Sequence, residues 1–305
     1  MGHLLLPTGK LTAVNVPKGD IVGHNISTVG VVGSGIMGSG LAEVIARGGM
    51  KVIVRSRSQA TADAMVASVA KGLAKQVEKG RLTEDDSSAI LSRITAVSDL
   101  SALADCDLVI ESVVEDLDTK KTLFAELDRV VKPGAILATN TSTLPVIELA
   151  MCTARPELVC GIHFFNPATA MPLVEIVRPL SAADTTIDAA TAFAETCGKQ
   201  PVQVKDRAGF IVNALLFPYL NNAIRMLEQG TANMADIDTA MKGGCNFPMG
   251  PFALLDLVGL DTSLAILDAL YNEFRDPNYA AMPTLRRMVA AGRLGRKTKA
   301  GFYNY

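Results

Sequence analysis

The sequence lacks long apolar runs and a strong net charge, and each absence excludes a class of protein. No stretch approaches the roughly 18 uninterrupted apolar residues of a transmembrane helix, so no such helix is expected. The formal net charge of -2 provides no global basic field for nucleic acid or an anionic membrane, so neither partner is expected. Any anionic ligand must therefore be held by local basic groups and backbone amides.

Cysteines are few and follow no ligand pattern. The five are scattered along the chain without a C-x-x-C pair: Cys106, Cys152, Cys160, Cys197 and Cys245. This usage predicts neither a disulfide framework nor a metal site, and it indicates reduced thiols in a cytoplasm.

The length of 305 residues is enough for two domains, each with its own core. The apolar patch Leu4–Leu6 is ended by Pro7 and is too short for the core of a signal peptide, so residues 1–25 are interpreted as an N-terminal extension. A change of pattern near residue 205 then predicts one domain over 26–205 and a second over 206–305.

The first of these domains alternates strand and helix signals. Apolar, β-branched segments predict the strands Ile26–Val32, Lys51–Val54, Leu108–Ile110, Ile136–Ala138, Val159–Phe164 and Val174–Val177. Helical periodicity lies between them, over Met37–Gly48, Gln59–Lys79, Thr83–Leu91 and Asp118–Val131. This alternation predicts an α/β domain with a doubly wound parallel sheet covered by helices on both faces.

The second domain shows helical periodicity almost throughout. Its predicted helices are Phe210–Leu227, Met234–Lys242, Phe252–Phe274 and Thr284–Ala291. We therefore expect an all-helical C-terminal domain.

A glycine-rich turn follows the first predicted strand and opens a helix. Gly33-Ser34-Gly35-Ile36-Met37-Gly38 has the form G-x-G-x-x-G. In this context Gly33 allows the tight turn, Gly35 lets a pyrophosphate approach the backbone and Gly38 lets helix and strand pack closely. The pattern predicts a Rossmann-type dinucleotide site that includes Ile36 and Met37, and the alternative is a glycine-rich turn without a ligand.

The second strand ends without the acidic residue that usually binds the adenosine ribose. The sequence there is Val54-Arg55-Ser56-Arg57-Ser58. A carboxylate would repel a 2′-phosphate, whereas Ser56 with Arg55 or Arg57 would attract one. This favours NADP over NAD, and the alternative is that the two arginines are merely solvated.

One histidine stands out among the three. His3 and His24 precede the first strand, whereas His163 ends a predicted strand at the edge of the sheet where ligands bind. Glu175 follows on the next strand and can hold the imidazole. A lone histidine among apolar residues is often structural, so these features alone leave catalysis and structure both open.

Several segments resemble the 3-hydroxyacyl-CoA dehydrogenases, particularly the short bacterial 3-hydroxybutyryl-CoA type. The resemblance covers about residues 26–305 and rests on VGVVGSGIMGSGLA, ESVVEDLDTKKTLF, ATNTSTLPV, GIHFFNPATAMPLVEI, KDRAGFIVNALL, NFPMGPFALLDLVGLD and GRKTKAGFYNY. It implies that His163 is the general base and that Glu175 orients it. It also implies that Ser142 and Asn213 bind the oxygen of the substrate.

The resemblance implies further contacts with the ligands. Besides the glycine turn, Ser56 and Arg57, the cofactor is expected to contact Glu115, Lys120, Asn140, Ser142 and Asn166. Lys75 and Lys79, which lie with Lys71 on one face of a helix, are expected to contact coenzyme A. The chain departs from the family pattern at Gly72, where Ser or Asn is usual, and at Ser56, where aspartate is usual.

The implied reaction is the NAD(P)-dependent interconversion of a (3S)-3-hydroxyacyl-CoA and its 3-oxoacyl-CoA. The helical domain is expected to bind substrate and to form a homodimer. Two alternatives stay open: a dehydrogenase of the same fold that acts on a free hydroxy acid, such as gulonate, and a non-catalytic cofactor-binding protein, such as a lens crystallin or a redox sensor.

Overall fold

The computed structural model of the chain describes residues 26–305. The predicted N-terminal extension, residues 1–25, lies outside the described residues. Within them, eight strands form one sheet: β1 (Thr28–Val32), β2 (Lys51–Arg55), β3 (Ile94–Val97), β4 (Leu108–Glu111), β5 (Ile136–Thr139), β6 (Val159–Phe164), β7 (Leu173–Arg178) and β8 (Gln200–Lys205).

The strand order is β3-β2-β1-β4-β5-β6-β7-β8, and the first six strands are parallel. This is the order of a doubly wound dinucleotide-binding sheet, so the predicted fold class is confirmed. One strand pair departs from the predicted parallel arrangement, because β7 runs antiparallel to β6. Only eight residues, 165–172, join these strands, too few for the crossover that a parallel neighbour requires.

Eleven α-helices accompany the sheet in the described part of the chain. They are α1 (Ile36–Arg47), α2 (Gln59–Glu78), α3 (Glu84–Leu91), α4 (Leu117–Val130), α5 (Val146–Ala150), α6 (Asp184–Thr196), α7 (Val212–Glu228), α8 (Met234–Cys245), α9 (Pro251–Val258), α10 (Leu260–Phe274) and α11 (Pro283–Ala290). The sequence did not predict β3, β8, α5 or α6. None of these helices is long and apolar enough to cross a membrane.

The prediction of a single helix over residues 252–274 was wrong. The segment is divided into α9 and α10 at Gly259, whose φ of 103° lies outside the helical region. A glycine adopts this conformation without the steric cost that a side chain would add. Apolar periodicity continues on both sides of the break and therefore does not reveal it.

Two apolar layers cover the faces of the sheet, and a third core fills the helical region. Side chains of β6 pack on both faces of the sheet: Ile162 and Phe164 lie in one apolar layer, and Val159 lies in the other. Every residue of β6 is buried, so the polar His163 near its end lies inside the protein rather than on its surface. The third core gathers residues of α7, α9, α10 and α11, including Leu220, Phe252, Leu267 and Leu285.

The segment between β8 and α7 ties the helical region to the sheet. The carboxylate of Asp206 accepts bonds from Val146 N at 3.0 Å and Ile147 N at 2.7 Å, at the start of α5. Glu273 of α10 accepts bonds from Arg207 Nε at 2.9 Å and Ala208 N at 2.7 Å. These bonds fix the path along which the chain enters α7.

Asp107 anchors the start of β1, and its contribution to stability should depend on pH. It accepts bonds from Ser27 N at 2.8 Å, Thr28 N at 2.9 Å and Lys132 Nζ at 2.6 Å. Partial burial acts to raise the pKa of Asp107, but these bonds outweigh it and lower the pKa to about 2. The stabilisation is therefore fully present above the usual carboxyl pKa of about 3.9 and is lost as pH falls towards about 2.

We predict that Asp107→Asn lowers the free energy of unfolding by about 1 kcal/mol at pH 7, a value discounted for solvent screening. The deficit should shrink as pH falls below about 4, because the carboxylate of the unfolded wild type then takes up a proton before that of the folded protein does. Urea unfolding of both proteins at a series of pH values measures this. A deficit that stays constant down to pH 3 would contradict the assignment.

Candidate active site

The glycine turn has the shape of a phosphate cradle. Gly33 has a φ of 123°, and a Cβ placed there would lie 2.2 Å from the carbonyl oxygen of Ser112. A Cβ on Gly38 would lie 2.0 Å from the carbonyl oxygen of Gly33, so strand and helix meet closely here. A Cβ on Gly35 would meet nothing within 4 Å, which leaves the face of the turn open to a ligand.

Helix α1 begins at this turn and offers its free amides to the same space. Its N-cap, Gly35, has no side chain to bond the amides of the first turn, and no acidic residue lies there. The N-terminus of a helix attracts anions through its unpaired N–H groups and its dipole. The turn therefore fits the pyrophosphate of a dinucleotide.

A cleft of about 1320 Å³ extends from the turn along the carboxyl edge of the sheet. Eleven of the twelve residues predicted to contact the cofactor line it: Gly33, Gly35, Ile36, Met37, Ser56, Arg57, Glu115, Lys120, Asn140, Ser142 and Asn166. The twelfth, Gly38, packs behind the turn. Helix α10 closes part of the opposite wall with Asp261, Thr262, Ala265 and Ile266, which the sequence did not single out.

The end of β2 supplies hydroxyl and guanidinium groups to one end of the cleft. Ser56 is buried, and its Oγ lies 2.8 Å from Ser34 Oγ and 2.6 Å from Thr61 Oγ1. Arg55 donates from Nε to the carbonyl oxygen of Ser98 at 3.2 Å, whereas the exposed Arg57 has no such bond within residues 26–305. The carboxylates that line the cleft come from elsewhere: Glu115, Asp118, Glu126 and Asp261.

A buried histidine–carboxylate pair lies beside the cleft. The antiparallel register of β6 and β7 places His163 directly opposite Glu175, and Nδ1 lies 2.8 Å from Oε2. Both side chains are almost fully buried. Since a carboxylate only accepts hydrogen bonds, Nδ1 donates to it. Nε2 is then the ring nitrogen that is free to accept a proton.

Ser142 connects this pair to the cleft. It follows β5, lines the cleft, and places its Oγ 3.1 Å from Nε2 of His163. A row of three side chains therefore runs from the cleft wall to the interior: Ser142, His163 and Glu175. A substrate hydroxyl that replaces or joins the serine at Nε2 meets a proton acceptor braced by a buried negative charge.

The other oxygen of Glu175 is bound by the helical region. Oε1 accepts bonds from Ile211 N at 3.0 Å and Val212 N at 2.9 Å, at the start of α7. These amides and the helix dipole stabilise the buried carboxylate. Asn213, predicted as a substrate contact, is the next residue, is buried, and makes no side-chain hydrogen bond within the described chain.

A second carboxylate positions the loop that carries Ser142. Oε1 of Glu115 accepts bonds from Ser142 N at 2.9 Å and from the hydroxyl of Thr141, and Oε2 lies 3.0 Å from Nζ of Lys120. Burial acts to raise the pKa of Glu115, but the positive charge of Lys120 and these bonds lower it overall. Glu115 therefore stays ionised and holds the loop.

Sequence reasoning missed Glu111, which completes this network. It is fully buried and binds Lys120 Nζ at 2.8 Å and 2.9 Å, Thr139 Oγ1 at 2.7 Å and Val113 N at 2.6 Å. The signal was present, because a glutamate ends the otherwise apolar strand Leu108–Glu111. Lys120, predicted as a cofactor contact, lines the cleft while its ammonium group is held by two carboxylates.

The predicted coenzyme A contacts lie elsewhere on the surface. Lys71 and Lys75 are exposed on α2, Lys79 is exposed directly after it, and neither Lys75 nor Lys79 lines the cleft. Gly72 lies on the same helix near the buried Glu43, with 3.8 Å between its would-be Cβ and the carboxylate. The role of these lysines stays a prediction.

Comparison with known proteins gives a consistent result along the whole described chain. Residues 28–207 match the family model described as "3-hydroxyacyl-CoA dehydrogenase, NAD binding domain". Residues 209–305 match the model described as "3-hydroxyacyl-CoA dehydrogenase, C-terminal domain".

Individual relatives are similar over nearly their full length. A "3-hydroxybutyryl-CoA dehydrogenase" of Mycobacterium tuberculosis is 49% identical, with 92% of this chain and 99% of that protein covered. One of Clostridioides difficile is 45% identical, with 90% and 98% covered. The crystal structure of an (S)-3-hydroxybutyryl-CoA dehydrogenase from Ralstonia eutropha superposes with a TM-score of 0.90 at 43% identity, with 92% and 99% covered. The chain therefore belongs to the 3-hydroxyacyl-CoA dehydrogenase family, the family that its sequence segments resemble.

Proposed function

We propose that this protein interconverts (3S)-3-hydroxyacyl-CoA and 3-oxoacyl-CoA, with 3-hydroxybutyryl-CoA as the substrate, by transferring hydride to or from a nicotinamide cofactor. The observation that carries the proposal is the 2.8 Å bond between Nδ1 of His163 and Glu175, with Nε2 turned towards Ser142 in the cofactor cleft. The names of the relatives support the substrate class.

In the direction of oxidation, Nε2 of His163 takes the proton of the 3-hydroxyl group. A nicotinamide cofactor held by the glycine turn would supply the other half of the chemistry as the acceptor of the hydride from C3, and the C–O single bond would become a carbonyl. Glu175 stabilises the imidazolium formed, since its charge lies next to Nδ1. Ser142 and Asn213 bind the substrate oxygen, and in reduction His163 returns the proton.

We predict that Glu175→Gln lowers kcat about 100-fold while cofactor affinity stays unchanged. If the glutamine keeps its oxygen on the amides of Ile211 and Val212, its NH₂ group faces Nδ1. Nδ1 must then become the acceptor, which protonates Nε2 and removes the base. Steady-state reduction of acetoacetyl-CoA and fluorescence titration of the reduced cofactor measure the two quantities.

Glu195→Gln is the matched control, because Glu195 is exposed on α6 and makes no ion pair within residues 26–305. It should behave as wild type. His163→Gln should lose at least as much activity as Glu175→Gln. Wild-type kcat in either His163→Gln or Glu175→Gln would remove the catalytic assignment and favour a protein that only binds cofactor.

The choice of substrate distinguishes a 3-hydroxyacyl-CoA dehydrogenase from a dehydrogenase of a free hydroxy acid. Exposed lysines on α2 support a ligand that carries phosphates, as coenzyme A does. Rates with acetoacetyl-CoA and with free acetoacetate at equal concentration compare the two directly. We expect turnover with the thioester, and comparable or higher turnover with the free acid would overturn the substrate class.

We also propose that the cofactor is NADP(H) rather than NAD(H). Arg55, Ser56 and Arg57 line the end of the cleft beyond β2, where a carboxylate would otherwise repel a 2′-phosphate. Guanidinium groups match phosphate oxygens in charge and geometry.

We predict that Ser56→Asp raises KM for NADPH at least 10-fold, because a carboxylate placed there repels the 2′-phosphate. KM for NADH should fall or stay unchanged, since the same carboxylate can accept a bond from a ribose hydroxyl. Arg57→Ala should raise KM for NADPH alone. A wild-type protein with equal or better kcat/KM for NADH would contradict the cofactor preference.

The predicted domain roles remain part of the proposal: residues 26–205 bind the cofactor, and residues 206–305 complete the substrate site and form a homodimer. The exposed apolar residues Ile211, Leu215 and Met226 follow one face of α7, and Phe247 and Leu257 are also exposed in this region. Such a face is typical of a protein interface. Light scattering should give a molar mass near twice 32.2 kDa, and 32.2 kDa would contradict the dimer.

A further inference from the structure

The turn that enters α7 contains a backbone conformation unusual for an aromatic residue. Phe210 has a φ of 48°, directly after Gly209 with a φ of 73°. A left-handed conformation costs a bulky residue about 1–2 kcal/mol and persists only where its surroundings enforce it. The other non-glycine residues with positive φ in the described chain, Asn246, Arg275 and Lys299, are exposed ends of helices, whereas Phe210 is buried.

The ring of Phe210 packs into the sheet domain rather than into the helical core. It belongs to the apolar layer on one face of the sheet, and its centroid lies 5.4 Å from that of the His163 imidazole at an interplanar angle of 59°. Phe165 packs on the same imidazole at 4.6 Å and 55°. The histidine therefore has aromatic contacts from two separate segments, one of which leads into α7.

The backbone that follows Phe210 binds the partner of that histidine. The amides of Ile211 and Val212 donate to Oε1 of Glu175, while Oε2 binds Nδ1 of His163. One turn therefore supplies a ring to the imidazole and two amides to its carboxylate. Gly209 makes the turn possible, since a Cβ there would lie 2.8 Å from Leu270 Cδ2 and 3.0 Å from Ala214 N.

We propose that Phe210 is a positioning residue for the catalytic histidine, an inference that rests on the proposed function for its kinetic part. Its left-handed backbone directs the ring onto the imidazole while the next two amides reach Glu175. The ring restricts rotation of the imidazole, so that Nε2 stays directed at Ser142 and Nδ1 at Glu175. The tautomer of the base thus depends on contacts from both the sheet and the helical region.

Phe210→Gly removes the side chain without opposing the backbone conformation, because glycine adopts the positive φ freely. We expect kcat for acetoacetyl-CoA reduction to fall 10- to 100-fold with unchanged cofactor affinity, since small displacements of a reacting group have effects of this order. Phe210→Leu keeps an apolar side chain without the flat ring, and its kcat should fall about 3- to 10-fold.

The second readout is the ¹⁵N spectrum of the imidazoles, which does not require turnover. The chain has three histidines, and a spectrum of His163→Gln identifies the signals of His163. Wild type should show one tautomer with Nδ1 protonated. Phe210→Gly should show the averaged ¹⁵N shifts of two exchanging tautomers, and Phe210→Leu an intermediate spectrum.

Phe193→Leu is the matched control, because Phe193 is buried on α6 in the layer on the opposite face of the sheet. It should lose stability but keep both kcat and the single tautomer. If Phe210→Gly does not fold, kcat and the ¹⁵N spectrum of Phe210→Leu test the role of Phe210 instead.

Wild-type kcat together with a single Nδ1-protonated tautomer in the folded Phe210 variants overturns the inference. An inactive wild-type protein would instead defeat the proposed function. In that case the tautomer spectra alone still decide the role of Phe210.

Discussion

The bond between Nδ1 of His163 and Glu175 is the interaction on which the site depends. It lies across an antiparallel pair of strands, the one departure from a parallel sheet, and both groups are buried. Leaving either partner buried alone would be costly, so each keeps the other in place. The pair also fixes which imidazole nitrogen faces the cleft, and that choice determines whether the protein can move a proton.

The site is shared between the two halves of the chain. The sheet supplies His163, Glu175 and the loop with Ser142, while the start of α7 supplies the amides on Glu175. Helix α10 forms part of the cofactor cleft. A displacement of the helical region would therefore disturb the His163–Glu175 pair, although both residues belong to the sheet.

Much of this arrangement could be predicted from the sequence, because local patterns encode it. The glycine turn follows a β-branched strand, and His163 and Glu175 are polar residues within two short apolar segments. The antiparallel direction of β7 was missed, although the eight-residue connection between β6 and β7 excludes a crossover. The break at Gly259 and the left-handed Phe210 depend on backbone conformation, which apolar periodicity does not report.

The sequence predicted only part of the buried network of Glu111, Lys120 and Glu115. It singled out Glu115 and Lys120 but neither Glu111 nor the burial of the group. Charged residues near a helix start usually lie on the surface, and only the tertiary structure shows that Lys120 is enclosed between two carboxylates. The network holds the loop after β5 through Ser142 N, so it contributes to the site without touching His163.

The central claim is that a single imidazole both takes and returns the proton. The most direct test measures kcat/KM against pH for oxidation of 3-hydroxybutyryl-CoA and for reduction of acetoacetyl-CoA in the same buffers. We expect mirror-image profiles, in which kcat/KM for oxidation rises with pH, kcat/KM for reduction falls, and both change around the same pH. Profiles that change in the same direction, or around clearly different pH values, would contradict this claim.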